Sequence, residues 1–180
     1  MRYLLIGWLA FISAGCSVPL KQPALHDFGL PVSAVVQGRA SVNVNAPTWL
    51  WDNRIRYRLL FASPSQVRFY GLDRWIASPP ELFEQLLASS GKVQDYVLVI
   101  RLQDFEQQFD AADRARAVLQ FSVEAHATDN NQVIATQEFH LEQATKTPDA
   151  AGAISGLTDL TQQAAGKIQD WLAGLPNRRE

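Results

Sequence analysis

The longest alternation of apolar and polar residues in this chain is ARAVLQFSVEAHAT, residues 115–128. Apolar side chains fall on one side of this segment and polar side chains on the other, which predicts a half-buried β-strand. A turn sequence, DNN, occupies residues 129–131, and a second alternating segment covers residues 133–141. Together these segments predict a long β-hairpin whose apolar face needs a covering layer.

Four further segments have strand patterns. Residues 37–45, 54–61 and 66–70 alternate between apolar and polar side chains. Residues 96–105 are apolar on both faces, which is typical of a central strand. The polar and acidic segment that follows, residues 104–113, predicts a loop. The sequence therefore predicts about six strands.

Two segments have the pattern of amphipathic helices. The sequence SPPE at residues 78–81 combines a capping box with a proline at the first helical position, and Gly91 ends the apolar stripe that follows. The sequence TPD at residues 147–149 opens a second helix, which Gly174 closes. Since both helices need a sheet face to cover their stripes, we predict a single α+β domain. Its mostly antiparallel or mixed sheet of about six strands carries both helices on one face.

The first 15 residues have the layout of a secretory signal, with a basic start, an apolar run and three small residues before Cys16, the only cysteine. The apolar run is too short to cross a bilayer, which needs roughly 20 such residues. Small residues before a lone cysteine resemble the lipobox of bacterial lipoproteins. The resemblance implies cleavage after Gly15, a diacylglycerol on the sulfur of Cys16 and acylation of the new amine, for example with palmitate. The alternative is an ordinary signal peptide followed by a chance cysteine.

The segment after Cys16 predicts how the domain is held. Residues 16–35 contain three prolines and no periodicity, which predicts a flexible tether before a folded domain at residues 36–176. Residues 177–180 predict a frayed tail. In the sorting rule of enteric bacteria, an aspartate after the acylated cysteine favours the inner membrane. Ser17 at that position therefore implies an outer-membrane anchor that faces the periplasm.

The composition excludes several classes of protein. The chain carries 16 basic and 18 acidic residues, a formal charge of −2, so no electrostatic argument favours a nucleic-acid partner. A single cysteine excludes a disulfide framework. No hydrolase, nucleotide-loop or zinc-enzyme motif occurs in the sequence, and three histidines are too few for a convincing metal site. We therefore expect a protein that is not an enzyme and uses no cofactor.

Charged residues on the short strands offer candidate contact surfaces. Arg54, Arg56 and Arg58 share one strand face, and Arg68 of the next strand is expected beside them. Val67 and Phe69 of that strand are expected to point inward, away from the arginines. The arginines form either a solvated face or a contact for anionic lipid headgroups or for carboxylates on a neighbouring subunit.

Acidic and aromatic residues add two further candidates. The acids of residues 104–113 are either solvated or a docking surface for a basic partner. Of Trp49, Trp51 and Trp75, core packing explains one or two, and an exposed pair would favour an interface.

Residues 47–87 resemble the auxiliary lipoproteins of ABC-type transporters that work with MCE-domain proteins in lipid traffic and membrane integrity. The resemblance is carried by LWDNRIRYR at residues 50–58, Tyr70, RWIA at residues 74–77, Pro79, Pro80, Leu82, Leu86 and Leu87. It implies a non-enzymatic periplasmic subunit whose partners are an MCE-domain protein, an inner-membrane permease and an ATPase. Its substrates would be phospholipids or related molecules. Self-association into a homo-oligomeric ring also fits this family.

The resemblance carries over a set of candidate interface or structural positions. They are Trp51, Asp52, Arg54, Arg56, Tyr57, Arg58, Arg74 and Trp75. Asp52 is expected to pair with Arg54 or Arg74 and so fix its loop, and Tyr57 is expected to face inward. Two other functions stay open: a periplasmic lipid-binding carrier with a pocket between sheet and helices, and an accessory lipoprotein of another envelope assembly machine.

Overall fold

The computed structural model describes residues 21–29, 42–89 and 96–175, and in them one mixed sheet carries two helices. The elements in chain order are β1 (Ala24–His26), β2 (Val42–Asn45), β3 (Arg54–Leu59), β4 (Val67–Trp75), α1 (Pro79–Ser89), β5 (Tyr96–Ala111), β6 (Arg114–Ala127), β7 (Val133–Ala144) and α2 (Ala150–Ala173). A short 3₁₀ turn at Thr48–Leu50 precedes β3. The predicted α+β class and the two helices are confirmed, and the sheet has seven strands where about six were expected.

The predicted hairpin is the framework of the sheet. β6 and β7 pair antiparallel, with Gln120 opposite His140 and Phe121 opposite Phe139. β5 pairs antiparallel with the other side of β6 along almost its whole length. The sheet order is β1-β4-β3-β5-β6-β7, and β2 also pairs with β5. The free side of β5 is therefore shared by two short parallel strands, β2 near its start and β3 near its end.

Both helices lie on one face of the sheet, as predicted. Phe83 of α1 packs edge-on against Phe121 of β6, with ring centroids 5.4 Å apart. Leu157 and Ile168 of α2 are fully buried against the same face. Burial of this apolar surface is the main favourable term in folding. Among the described residues, neither helix is long and apolar enough to cross a bilayer.

The two helix starts are capped in different ways. The Glu81 carboxylate accepts from the Ser78 backbone N–H at 2.8 Å, which is one of the two bonds of the predicted capping box. The Ser78 hydroxyl donates to the same carboxylate at 2.5 Å, where the box would have it accept from the Glu81 N–H. In α2 the cap is Asp149, whose carboxylate accepts from the Gly152 N–H at 2.9 Å. The cap of the second helix is therefore Asp149, two residues after the predicted cap at Thr147.

The predicted tether over residues 16–35 is wrong for the part that the structure describes. Ala24–His26 form β1, which pairs in parallel with β4 at one edge of the sheet. His26 Nε2 lies 2.9 Å from Asp73 Oδ1, and Phe28 is fully buried. The folded domain therefore begins before residue 36. A strand of three residues is too short to show an alternation pattern. The prolines and the lack of periodicity therefore predicted a tether instead.

The predicted loop over residues 104–113 is also wrong. β5 continues to Ala111, and the hairpin turn to β6 is tight. Acidic residues are accepted in this strand because arginines on neighbouring strands pair with them. Two irregularities in the pairing with β6, one of them between Leu102 and Asp104, break the alternation that would otherwise have marked the strand.

The remaining predictions for the chain ends fall outside the described residues. Residues 1–20, with the signal segment and Cys16, are not described, and neither are residues 30–41, 90–95 and 176–180. The predicted start of the second strand at residue 37, the helix end at Gly91 and the tail over residues 177–180 lie there.

Candidate functional site

The sheet face opposite the helices carries a cluster of charged side chains, and its centre is Glu106 of β5. The Arg58 side chain donates to both Glu106 oxygens, with Nε at 2.9 Å from Oε1 and Nη2 at 3.2 Å from Oε2. Arg58 Nη1 also donates to the Pro64 carbonyl at 3.1 Å. Glu106 is 1% exposed, so this two-pronged pair is shielded from solvent and geometrically fixed.

Arg56 lies beside this pair but forms no hydrogen bond with Glu106. Its Nη2 is 3.6 Å from Glu106 Oε2, which is an ion pair but too long for a hydrogen bond. Its Nε has no hydrogen-bond partner among the described residues, although only 7% of the residue is exposed. Burial lowers the pKa of the Arg56 guanidinium, while the Glu106 charge opposes that change. Arg56 is therefore a largely desolvated cation with incomplete hydrogen bonding.

Asp52 and Arg54 form a second, self-contained pair at the start of β3. Arg54 donates to Asp52 from Nε at 2.6 Å and from its backbone N–H at 2.9 Å. The hydrogen bond from the Arg54 side chain holds the pKa of Asp52 below its usual value. The guanidinium also stacks over the Phe69 ring, 3.7 Å from the ring centre. Of the two predicted partners of Asp52, the structure shows Arg54.

These side chains line an open groove of about 420 Å³, which we call the arginine groove. Its lining residues are Thr48, Trp49, Asp52, Arg54, Arg56, Arg58, Val67, Phe69 and Asp104. Burial raises the pKa of Asp104, and the nearby Glu106 charge adds to this effect. Phe69 pairs directly with Arg56, so it shares the arginine face. The prediction that Val67 and Phe69 point away from the arginines is therefore wrong. Arg68 does not lie beside the arginines as predicted, because it pairs with Tyr57 and shares the other face.

Two tryptophans stand at and near the rim of the groove. Trp49 lines the groove and is 59% exposed. Trp51 is 47% exposed, and its indole N–H donates to the Ala46 carbonyl at 3.1 Å, which fixes the ring orientation. They are the kind of exposed pair that would favour an interface.

The other carried-over positions lie outside the groove. Tyr57 points to the helix-covered face and stacks on Tyr70, with ring centroids 4.6 Å apart. Trp75 is fully buried and packs against Phe28 at 5.1 Å. Arg74 is directly opposite Arg54 in the strand pairing. Tyr57 and Trp75 therefore serve the core, whereas Asp52, Arg54, Arg56 and Arg58 form the groove.

Sequence reasoning missed the role of Glu106. It was grouped with the acids of residues 104–113, yet its partners are Arg56 and Arg58 in the same chain. The spacing of Phe105 and Phe109, both buried, was the available sign of a strand there. Glu106 is enclosed and Asp110 pairs with Arg116, so neither carboxylate is free for a basic partner. A docking surface on the other acids of residues 104–113 stays a prediction.

Comparisons with known proteins show similarity of fold. No family model and no curated protein matches the chain. A crystal structure of a Xanthomonas campestris protein assigned to the family model DUF330 superposes with a TM-score of 0.63, at 18% identity, over 73% of this chain and 80% of that one. A second crystal structure, of an uncharacterized protein, superposes with a TM-score of 0.63 at 14% identity, over 84% and 99%. A candidate lipoprotein from Caulobacter crescentus CB15 reaches only 0.43, at 19% identity over 53% and 83%.

Proposed function

We propose that this protein is a lipid-anchored envelope lipoprotein that acts as a docking subunit of an ABC/MCE-type lipid-transport system. The observation that carries the proposal is the position of the family signature. Asp52, Arg54, Arg56 and Arg58 gather in one open groove, and Trp49 is exposed at its rim. These four residues, which belong to the set that carries the resemblance, thus form one contiguous surface.

The chemistry of this surface suits protein recognition. Arg54 is held by Asp52 and Phe69, and Arg58 is held by Glu106, so neither side chain loses much freedom when a partner binds. Fixed arginines and tryptophans are the residue types that dominate binding energy at protein interfaces. A partner would bury Trp49 and cover the groove.

The N-terminal sequence supports the anchored location. A signal-like segment ends in small residues before Cys16, and this pattern resembles a lipobox. Two or more acyl chains would hold the domain stably at a membrane, whereas one would bind only marginally. Ser17 after the cysteine favours the outer membrane, with the domain in the periplasm.

Affinity purification of the intact protein from envelope membranes, followed by mass spectrometry, tests the proposal. We expect recovery of an MCE-domain protein together with a permease and an ATPase. The double variant Trp49→Ala/Trp51→Ala should lower that recovery at least about tenfold, since each interface tryptophan contributes about 2 kcal/mol or more.

Phe61→Ala is the matched control, because Phe61 is a similarly exposed aromatic residue in the turn after β3. It should leave recovery unchanged. Recovery of a different envelope machine, or equal recovery with the tryptophan double variant, would contradict this docking function.

A further inference from the structure

We infer that the arginine groove binds the phosphodiester headgroup of a phospholipid, with Arg56 as its principal contact. This inference goes beyond the docking role, which requires no lipid to touch the subunit, and it stands or fails separately from it.

The first argument is the incomplete hydrogen bonding of Arg56. A buried charge is costly unless it is paired and hydrogen-bonded. Arg56 lines the groove, its Nε has no partner among the described residues, and its nearest carboxylate is 3.6 Å away. An oxyanion in the groove would give the Arg56 guanidinium a closer acceptor than Glu106, which lies 3.6 Å from Nη2.

The second argument is that the neighbouring charges are already committed. Asp52 accepts from both the side chain and the backbone of Arg54, and Glu106 accepts from two nitrogens of Arg58. Each of these pairs is locally neutral. Asp104 is the only other carboxylate on the groove wall within the described part of the chain, and it forms neither a hydrogen bond nor an ion pair within 4 Å with Arg56. The positive charge of Arg56 is therefore the least compensated charge in the groove.

The third argument concerns shape and polarity. A volume of about 420 Å³ lies within the range of small-ligand sites. Val67, Phe69 and Trp49 provide apolar walls beside the guanidinium groups. A free inorganic anion would leave those walls unused, whereas the glycerol and first acyl carbons of a phospholipid would cover them. Tryptophan is also enriched at boundaries between an apolar region and water, because its ring is apolar and its N–H is polar.

A phosphodiester suits this arrangement chemically. It carries a single negative charge on two free oxygens, and arginine donates to phosphate through two parallel N–H groups. The two terminal Nη groups of Arg56 form such a pair of donors, since its Nε has almost no accessible surface. Binding would leave the Arg58–Glu106 pair intact.

Native mass spectrometry of the intact lipidated protein in a maltoside detergent tests the inference. The probes are palmitoyl-oleoyl-phosphatidylglycerol, the matching diacylglycerol without phosphate, and inorganic phosphate. We expect one phosphatidylglycerol adduct per chain, with at least tenfold weaker adducts of the other two probes. Equal binding of diacylglycerol would show an apolar site, and binding of phosphate alone would show a simple anion site. Either result would overturn the inference.

Variants connect the adduct to the groove. Arg56→Gln should lower the phosphatidylglycerol adduct at least tenfold, and Arg68→Gln, which changes an arginine on the opposite side of β4, should leave it unchanged. Asp104→Asn should strengthen binding several-fold because it removes a negative charge from the wall. Trp49→Ala is a second test that stays informative if Arg56→Gln fails to fold, because Trp49 is exposed and its removal should not affect folding. Trp49→Ala should weaken the lipid adduct and leave any phosphate adduct unchanged. An unchanged adduct in Asp104→Asn and Trp49→Ala would place the lipid elsewhere.

Discussion

At the scale of single residues, Glu106 has the largest structural role on the helix-free face. Its carboxylate is enclosed by Arg56 and Arg58, and Gln108 donates to the same oxygen as Arg58 at 3.0 Å. Pairs of this kind gain little relative to an apolar replacement of both partners, but removal of one partner leaves a buried charge without compensation. The groove therefore depends on a residue that does not itself line it.

The variant Glu106→Gln tests this dependence. We expect a loss of about 3–5 kcal/mol in the free energy of unfolding, because Arg58 would lose its two-pronged carboxylate partner and Arg56 its nearest negative charge. Urea unfolding followed by circular dichroism measures the change. Glu138→Gln makes the same change of charge at an exposed position on β7 and should shift stability by less than about 0.5 kcal/mol. Similar losses in both variants would show that overall charge, and not this pair, is responsible.

The predictability of the site also differs from residue to residue. The Asp52–Arg54 pair could be anticipated because the partners lie two positions apart, so local geometry alone brings them together. The Glu106 pair could not, since it lies 48 positions from Arg58 and only the parallel register of β3 on β5 joins them. Long-range strand pairing is the information that a single sequence lacks.

At the scale of elements, the sequence predicted those with long, regular periodicity. The β6–β7 hairpin and both helices were found, because their patterns extend over many residues or begin at a recognisable cap. β1 was missed because three residues do not make a pattern. The end of β5 was missed because a bulge interrupts its alternation and its acids are neutralised only in three dimensions.

The first turn of α2 offers a matched test at this scale. A Cβ on Gly152 would come within 1.9 Å of the Thr147 carbonyl oxygen, which is backbone and cannot move aside easily. Gly152→Ala should therefore cost about 1–3 kcal/mol of stability. Gly166 lies in the same helix, and a Cβ added there would meet no atom within 4 Å.

Gly166→Ala should accordingly stabilise the protein by about 0.5–1 kcal/mol, because alanine loses less backbone entropy on folding. Thermal unfolding of the two variants beside the parent protein separates the cases. Opposite shifts are expected, and shifts of the same sign would mean that the close approach at Thr147 does not govern the start of this helix.

At the scale of the whole molecule, the apolar core and the charged groove lie on opposite faces of one sheet. The helix-covered face holds the apolar core, which includes Trp75 and Phe28. The opposite face holds the arginine groove. Substitutions in the groove can therefore change binding while the core stays packed, provided that the Glu106 pair is kept.

The anchor can be tested separately from the fold. Cys16→Ala should leave a domain with an unchanged thermal unfolding midpoint, because it removes the acylation site and leaves the sheet and helices from β1 onward unaltered in sequence. The variant should move from the membrane fraction to the soluble fraction and should no longer support the barrier function of the envelope. Membrane fractionation and sensitivity to detergents measure these outcomes. Full function of an unanchored variant would refute the role assigned to the lipid.

The placement of β1 sets how far such an anchor would let the domain travel. Ala24, the first sheet residue in the described part of the chain, lies eight positions after Cys16. A fully extended chain spans at most about 3.3–3.6 Å per residue, so this linker is no longer than about 29 Å. A tether to residue 35 would have allowed more than twice that distance. A lipidated domain of this design would occupy only a thin layer next to its membrane, and any partner that starts from the opposite membrane would have to cross most of the intervening space itself.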